Sequence, residues 1–436
     1  MKYTENEVLQ FTEENDVKFV KLIFCDIYGQ MKVITVLSQK LSEIFTEGFP
    51  IDSSKVLGFE GITDEQLILF PDLSTLALLP WRPQQRRVIR FFCNIKKSDG
   101  TPFECDSRQF LADAVAYARS KNYNFMIGTS CEFYVFEADE NNMPTKTPHD
   151  YAGYCDASPA DRGENLRRDI CLTLEKMDIY PESSRHESGP GQNEIDFQCS
   201  NPLNAADNLM TFKNVVKTVA SRNGMYATFM PKPLYGKSGN GLEIHITCMK
   251  NTNNIFKKTL GNNMTEAKKM ISGIIHHAAE MTLFFNSTTN SYARLGKNRA
   301  PIYTSWTQKN YPQCIKANFT SSNEADIVFR AADSACNPYI TLGLLIYACM
   351  DGIESDLEII EPCDYDVFAK EDTNLSTLPL NLKQAADIAE ESKFVQKYIP
   401  EKLLKYFADQ KRNDWNDYKK AANKEVFESQ KYFLSL

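Results

Sequence analysis

The sequence predicts an α+β fold in two domains. Three observations predict it. Short runs of strand composition crowd the first hundred residues, around 18–24 and 87–92. Half-buried alternation marks further strands at 194–198 and 243–247. Long stretches of helical periodicity lie between and after these strands, so the two kinds of element are mixed. At 436 residues the chain is long enough for two domains and a large core.

The elements follow in order. Lys18–Phe24 and Arg87–Phe92 are rich in β-branched and aromatic residues and read as strands. Residues 106–121 read as an amphipathic helix: an Asp stands at its start, and Phe110, Leu111, Ala114 and Val115 recur at helical spacing. Gly128–Phe136 reads as a buried strand that carries Glu132. A helix over 205–223 separates the strands at 194–198 and 243–247, and another spans 265–285. The longest apolar run, Ile340–Met350, follows Asn337-Pro338-Tyr339 and contains Gly343. It is too short to span a bilayer and reads as a buried helix. The tail from Leu380 to Leu436 is charged and helical. There is no internal repeat and no low-complexity segment.

Composition excludes some classes. Hydrophobic content of 42% and charged content of 24% are ordinary for a globular protein. The net charge of −8 argues against a nucleic-acid surface or an anionic membrane as partner. Twelve cysteines are scattered with no C-x-x-C pair or zinc spacing. They read as reduced, mostly buried thiols, and the N-terminus has no apolar signal core, so a cytoplasmic protein is expected.

The most informative stretch is Ser184-Arg185-His186-Glu187-Ser188-Gly189-Pro190-Gly191-Gln192-Asn193-Glu194-Ile195. Glu187 and Glu194 flank a Gly-Pro-Gly turn that can aim both acids at one point. Hard divalent cations such as Mg2+ and Mn2+ require converging oxygens of this kind. Glu132, in its apolar strand, is costly unless paired or metal-bound. Residue chemistry alone also allows two solvated loop acids and a salt-bridged Glu132.

The His-Glu…Pro-Gly-Gln-x-Glu-Ile run resembles the glutamine synthetase family, bacterial type I in layout. Further segments fall in family order: Asp26–Gln30, Phe70–Thr75, Asp99–Phe103, Gly153–Asp156, Phe229–Pro233, Asn290–Leu295, Asn337–Tyr339, Asp351–Ile353 and the Trp415…Tyr418 helix. The resemblance covers nearly the whole chain. It implies a β-grasp-like domain over residues 1–103. A catalytic-type domain would follow over 104–436, with a curved antiparallel sheet forming a funnel-shaped site. Family enzymes phosphorylate a carboxylate with ATP, and ammonia or an amine then attacks the acyl phosphate. One metal holds the amino-acid side of the site and a second holds the ATP phosphates.

By that resemblance Glu132, Glu187 and Glu194 bind the first Mg2+ or Mn2+. Arg294 and Arg330 grip an amino-acid-like ligand, since a guanidinium binds a carboxylate bidentately. His245 lies beside the substrate, and Lys237–Gly241, ending in Gly241, matches a substrate-contacting Gly-rich loop. The second-metal positions are altered: Ser130, Glu243 and Val328 stand where the family has Glu, His and Glu. The catalytic flap is one residue short, and Arg299 stands where a Glu deprotonates ammonium. An arginine cannot act as a base near neutral pH. The family's ammonium-binding Asp aligns with Ile51, with Asp52 adjacent. Arg185 and Lys316 are the possible phosphate contacts, and Tyr311 and Asp326 replace other cations of the phosphate clamp. Glu243 needs a positive partner, with Arg299 expected first and Lys316 second.

The resemblance thus implies a ligase-type protein whose ATP and ammonia sites are altered. One readout is a divergent ATP-dependent ligase with a rebuilt phosphate site. The other is a non-catalytic homologue that keeps one cation site and an amino-acid-type ligand site, in a structural or regulatory role. A third, single-metal hydrolysis or isomerisation, lacks an obvious nucleophile. Self-association into rings, as a dodecamer of two hexamers, is also implied.

Overall fold

The computed structural model describes residues 3–260, 263–355, 357–369 and 374–436. The first strand-like run forms β1 (Val17–Cys25), and a tight turn returns the chain as its antiparallel partner β2 (Met31–Leu37). The Asp26 carboxylate accepts from the N–H groups of Tyr28 and Gln30, both at 2.9 Å. Gly29 completes the turn at φ +83°, a conformation glycine adopts without steric cost. β3 (Phe49–Asp52), β4 (Gln66–Pro71), β5 (Ala77–Leu78) and β6 (Arg87–Lys97) complete the sheet, ordered β2-β1-β6-β4-β3 with β5 beside β6. β1 and β6 run parallel at its centre. This is the β-grasp arrangement.

Two helices here escape a reading based on strand composition, α1 (Glu5–Glu14) and α2 (Leu41–Glu47). The first begins with a reciprocal capping box between Thr4 and Glu7, which is a recognisable sequence signal.

The larger half opens with α3 (Ser107–Ser120), capped by Asp106. β7 (Tyr123–Ala138), β8 (Pro144–Pro148), α4 (Glu164–Glu175), β9 (Pro181–His186) and β10 (Gln192–Ser200) follow. α5 (Pro202–Arg222) starts three residues before the expected Ala205. The Asn201 side chain caps it and Pro202 occupies its first turn, where a missing N–H costs nothing. Next come β11 (Met225–Thr228), β12 (Gly241–Lys250), β13 (Asn253–Asn254), α6 (Thr265–Phe285) and α7 (Ser291–Arg294). β14 (Trp306–Thr307), β15 (Ile315–Asn318), β16 (Asp326–Asp333) and α8 (Pro338–Glu354) continue the chain. The tail forms α9 (Leu382–Glu391), α10 (Lys393–Tyr398), α11 (Glu401–Lys420) and α12 (Lys424–Glu428).

Among the described residues the large sheet has ten strands, with the path β14-β15-β16-β12-β7-β10-β9. Every pair on that path is antiparallel except β14 with β15. Register irregularities at Phe197/Ser200 and Leu242/Ile244 bend it, as bulges do. Helices α3, α5 and α6 pack on it and α8 packs on these three, its run Ile340–Met350 buried along its whole length. Arg108 ties the two halves: its guanidinium reaches Asp72 and Asn94 of the small domain and Asp207 of α5 at 2.7–3.1 Å. Among the described residues no helix is long and apolar enough to cross a membrane. None of the twelve cysteines is paired.

Candidate functional site

Strand register builds the site. Directly opposite residues of antiparallel strands share a face. Arg185 on β9 lies opposite Glu194 on β10, and Glu194 lies opposite Glu132 on β7. The next row holds Ser183, Asp196, Ser130 and Glu243, on β9, β10, β7 and β12. A spacing of two residues along each strand therefore stacks the candidate residues in two rows on one face of the sheet.

Glu187 enters from the turn after β9. Its N–H donates to the Gln192 carbonyl at 2.8 Å, and the Gln192 N–H donates to that of Gly189 at 3.0 Å. Gly191 closes the turn at φ +68°, where a Cβ would sit 2.5 Å from the Val135 carbonyl oxygen. The Gln192 side chain donates to the Gly239 carbonyl and to Asn240, which docks the 237–241 loop on the turn. The Gly241 N–H donates to Glu132. Behind the turn, buried His186 pairs with Asp150 at 2.8 Å, while Arg167 joins Asp161 and Asn193.

Glu132, Glu187 and Glu194 each bring one carboxylate oxygen to a point where all three lie within 4.8 Å of one another. Burial, with the charge of Glu187 added, pushes the Glu132 carboxyl well above the usual carboxylate range. Burial and the charge of Glu132 push Glu194 in the same direction. Like charges so close favour protons or a cation. Three converging hard oxygens fit Mg2+, Mn2+ or Ca2+. A second acidic cluster, Asp150, Asp161 and His186, is closed by its own ion pairs with Arg167 and within itself.

The three acids form one side of a cavity of about 520 Å³. Arg294, Lys297, Arg299 and Arg330 line it as well, with Arg294 close to Glu132. Arg294 is buried and held by the carbonyls of Ala331 and Ala332, at 3.3 and 2.8 Å, while its Nε has no hydrogen-bond partner. Arg299 sits on the flap at φ +68°, beside Asn298 at φ +49°, and its guanidinium donates to the Asn310 carbonyl at 2.8 Å.

The expected partners of Glu243 are corrected here. Neither Arg299 nor Lys316 pairs with it. Arg330 does, with Nε 2.8 Å from Glu243 Oε1, and it also donates to the Tyr311 carbonyl. β12 and β16 are neighbours, so Glu243 and Arg330 meet side by side, while Arg299 is anchored elsewhere. Lys316 lies opposite Val328 and is not among the residues lining the cavity. His245 does not line it either. Its Nδ1 is 2.8 Å from Asp326, and its Nε2 is 3.4 Å from Ser130. Val328 is buried. Of Ser130, Glu243 and Val328 only Glu243 carries a carboxylate, and it is paired with Arg330. Asp52 caps a turn of the small domain and pairs with Lys55 at 2.9 Å. Arg185 does line the cavity, but it is occupied by Glu187, Glu194 and Asp196.

Sequence reasoning missed Asp196, although its place two residues after Glu194 in an alternating strand puts it on the same face. It also missed the Asp150–His186 pair, which no spacing announces.

Residues 16–98 match the family described as glutamine synthetase, beta-Grasp domain, and residues 104–430 match glutamine synthetase, catalytic domain. The glutamine synthetase of Clostridium saccharobutylicum is 36% identical over 426 residues, covering 96% of each chain. That of Methanocaldococcus jannaschii is 34% identical and covers 100% of this chain and 99% of its own. Among solved structures, the GmaS/ADP complex in conformation 1 has a TM-score of 0.86 at 24% identity, over 99% of both chains. Apo GmaS without ligand has a TM-score of 0.85 at 25% identity, over 97% of this chain and 98% of its own.

Proposed function

The chain belongs to the glutamine synthetase family, and from that premise we propose that its cavity holds an amino-acid-type ligand beside a single divalent cation. One observation carries the reading. Glu132, Glu187 and Glu194 converge on one point, with Arg185 beside them, while in the second row Glu243 is taken up by Arg330 and Asp196 by the same Arg185. Glu132, Glu187 and Glu194 hold the cation. A bound Mg2+ or Mn2+ supplies charge neutralisation and orients oxygen ligands beside it. Arg294, fixed by two carbonyls, presents its guanidinium to the ligand's carboxylate. Arg330 meets the same ligand only from within its pair with Glu243.

Activity of the family's kind, ATP-dependent joining of a carboxylate to an amine, is altered in this reading. Arg299 supplies no base, and the second row supplies no phosphate metal. Glutamine formed from glutamate, ammonium and ATP with Mg2+ or Mn2+ is the test. A missing general base alone costs about 10²- to 10⁴-fold. Turnover near the ~1–10³ s⁻¹ of ordinary enzymes overturns the proposal. Restoring Glu at position 299 alone does not recover the reaction. The non-catalytic reading is favoured by the same arginine pairs. ADP release that requires both an amino acid and an amine decides for a divergent ligase, and its absence decides for the non-catalytic homologue. A cytoplasmic, ring-forming multimer belongs to the same reading. Phe19, Val33 and Leu37, exposed on β1 and β2, offer apolar surface for such an assembly.

A further inference from the structure

Arg185 stands where a cation is wanted. Its Nη2 is 2.6 Å from Glu194 Oε2, its Nε is 3.4 Å from Glu187 Oε1, and its Nη1 is 2.7 Å from Asp196 Oδ2. Glu187 and Glu194 are two of the three converging acids. A guanidinium and a divalent ion held this close repel each other, and both draw on the charge of the same two carboxylates. We propose that Arg185 is a built-in cation that competes with a divalent metal for Glu187 and Glu194, and that its guanidinium retreats onto Asp196 when the metal binds. The inference rests on the one-cation reading of the cavity given above.

The shortest contact is the one to Glu194, but the hold on Asp196 has two hydrogen-bonded arms and a support beside it. Nη1 donates to Asp196 at 2.7 Å and to Ser183 Oγ at 3.1 Å, while Nη2 reaches the other Asp196 oxygen at 3.4 Å. The hold on Glu187 is the weakest: 3.4 Å, with the Nε making no hydrogen bond. Asp196 stands in the second row, outside the converging set. The guanidinium can therefore drop two acids and keep a third without leaving its strand. The side chain is 29% exposed, so it has room to turn. Metal binding here is an exchange of cations.

Mn2+ alone, titrated into the full chain by calorimetry and followed by electron paramagnetic resonance, tests this. Arg185→Gln removes the competitor and should bind Mn2+ about ten- to hundredfold more tightly, the worth of one to two charge-assisted contacts. Arg185→Lys keeps the charge but loses the fork and falls between. Arg299→Gln removes the same charge from the same cavity without touching the acids, and its effect should be clearly smaller. Asp196→Asn removes the retreat. It should weaken Mn2+ binding several-fold with Arg185 present, and distinctly less in the Arg185→Gln background. If the Gln variant does not fold, Arg185→Lys and Asp196→Asn decide. Equal affinity of wild type and Arg185→Gln overturns the competition, as does an equal gain from Arg299→Gln. Absence of Mn2+ binding in every folded variant at millimolar metal overturns the one-cation reading as well.

Discussion

At the scale of single residues, spacing offered Glu132, Glu187 and Glu194 as one possibility, because alternation and a turn act locally, and the family resemblance chose it over solvated or salt-bridged acids. Spacing could not reveal the partners of Arg185 and Glu243, which depend on which strand lies alongside and at what register. Asp150 shows a second kind of hidden residue. Burial alone would raise its carboxyl, but the hydrogen bond and charge of His186, with the N–H groups of Arg162 and Gly191, outweigh burial and hold it down at about 2. A carboxyl lowered on folding contributes stability above its unfolded value near 3.8, and that stability is lost as pH falls through about 2. The full contribution is about 2 kcal/mol. Asp150→Asn should lower the unfolding free energy at pH 7 by about 1–3 kcal/mol. The gap from wild type should narrow between about pH 4 and 2. Denaturant titrations at neutral and acid pH measure both; a gap that widens on acidification contradicts the assignment.

At the scale of elements, helix 265–285 and the strands 194–198 and 243–247 were readable because each has one clear period over its length. Terminal residues were less so, as the early start of α5 shows, since a cap and a proline act at one point. Glycines decide two contacts. At Gly273 of α6 a Cβ would lie 2.1 Å from the Ala348 carbonyl oxygen, and at Gly352 of α8 one would lie 2.1 Å from that of Lys269. Alanine would add about 1 kcal/mol of helix propensity. Overpacking against backbone costs about 1–3 kcal/mol or more, and the closeness of the contact makes that cost win. Gly352→Ala should therefore lower the melting temperature, read by calorimetry; a rise would show that the helices separate freely. In the Glu187 turn, Gly191→Ala combines positive φ, about 1–2 kcal/mol, with the 2.5 Å approach to Val135. It should weaken both stability and Mn2+ affinity.

At the scale of the whole molecule, two domains were legible from length and strand density, but their docking was not. It includes the Asn337 side chain on the Asp26 and Ile27 carbonyls, and Arg108, one buried guanidinium shared among Asp72, Asn94 and Asp207. Removing one partner of such a pair leaves uncompensated buried charge and costs about 3–5 kcal/mol. Arg108→Leu should expose both domains to proteolysis together; cleavage confined to one domain would show that they stand independently. Assembly is measured by size exclusion, where a ring multimer is expected and a monomer near 49.7 kDa overturns that part of the proposal.

The two rows on the sheet have a consequence for descent. Backbone pairing and register set where each row stands, and each cross-strand side-chain pair within a row adds about 0.2–1 kcal/mol to it. A lineage can therefore replace Glu by Ser at position 130, or His by Glu at position 243, and inherit the same strands unchanged. Architecture and chemistry are then passed on separately. A chain 36% identical to a glutamine synthetase holds the family's fold with other side chains in those rows.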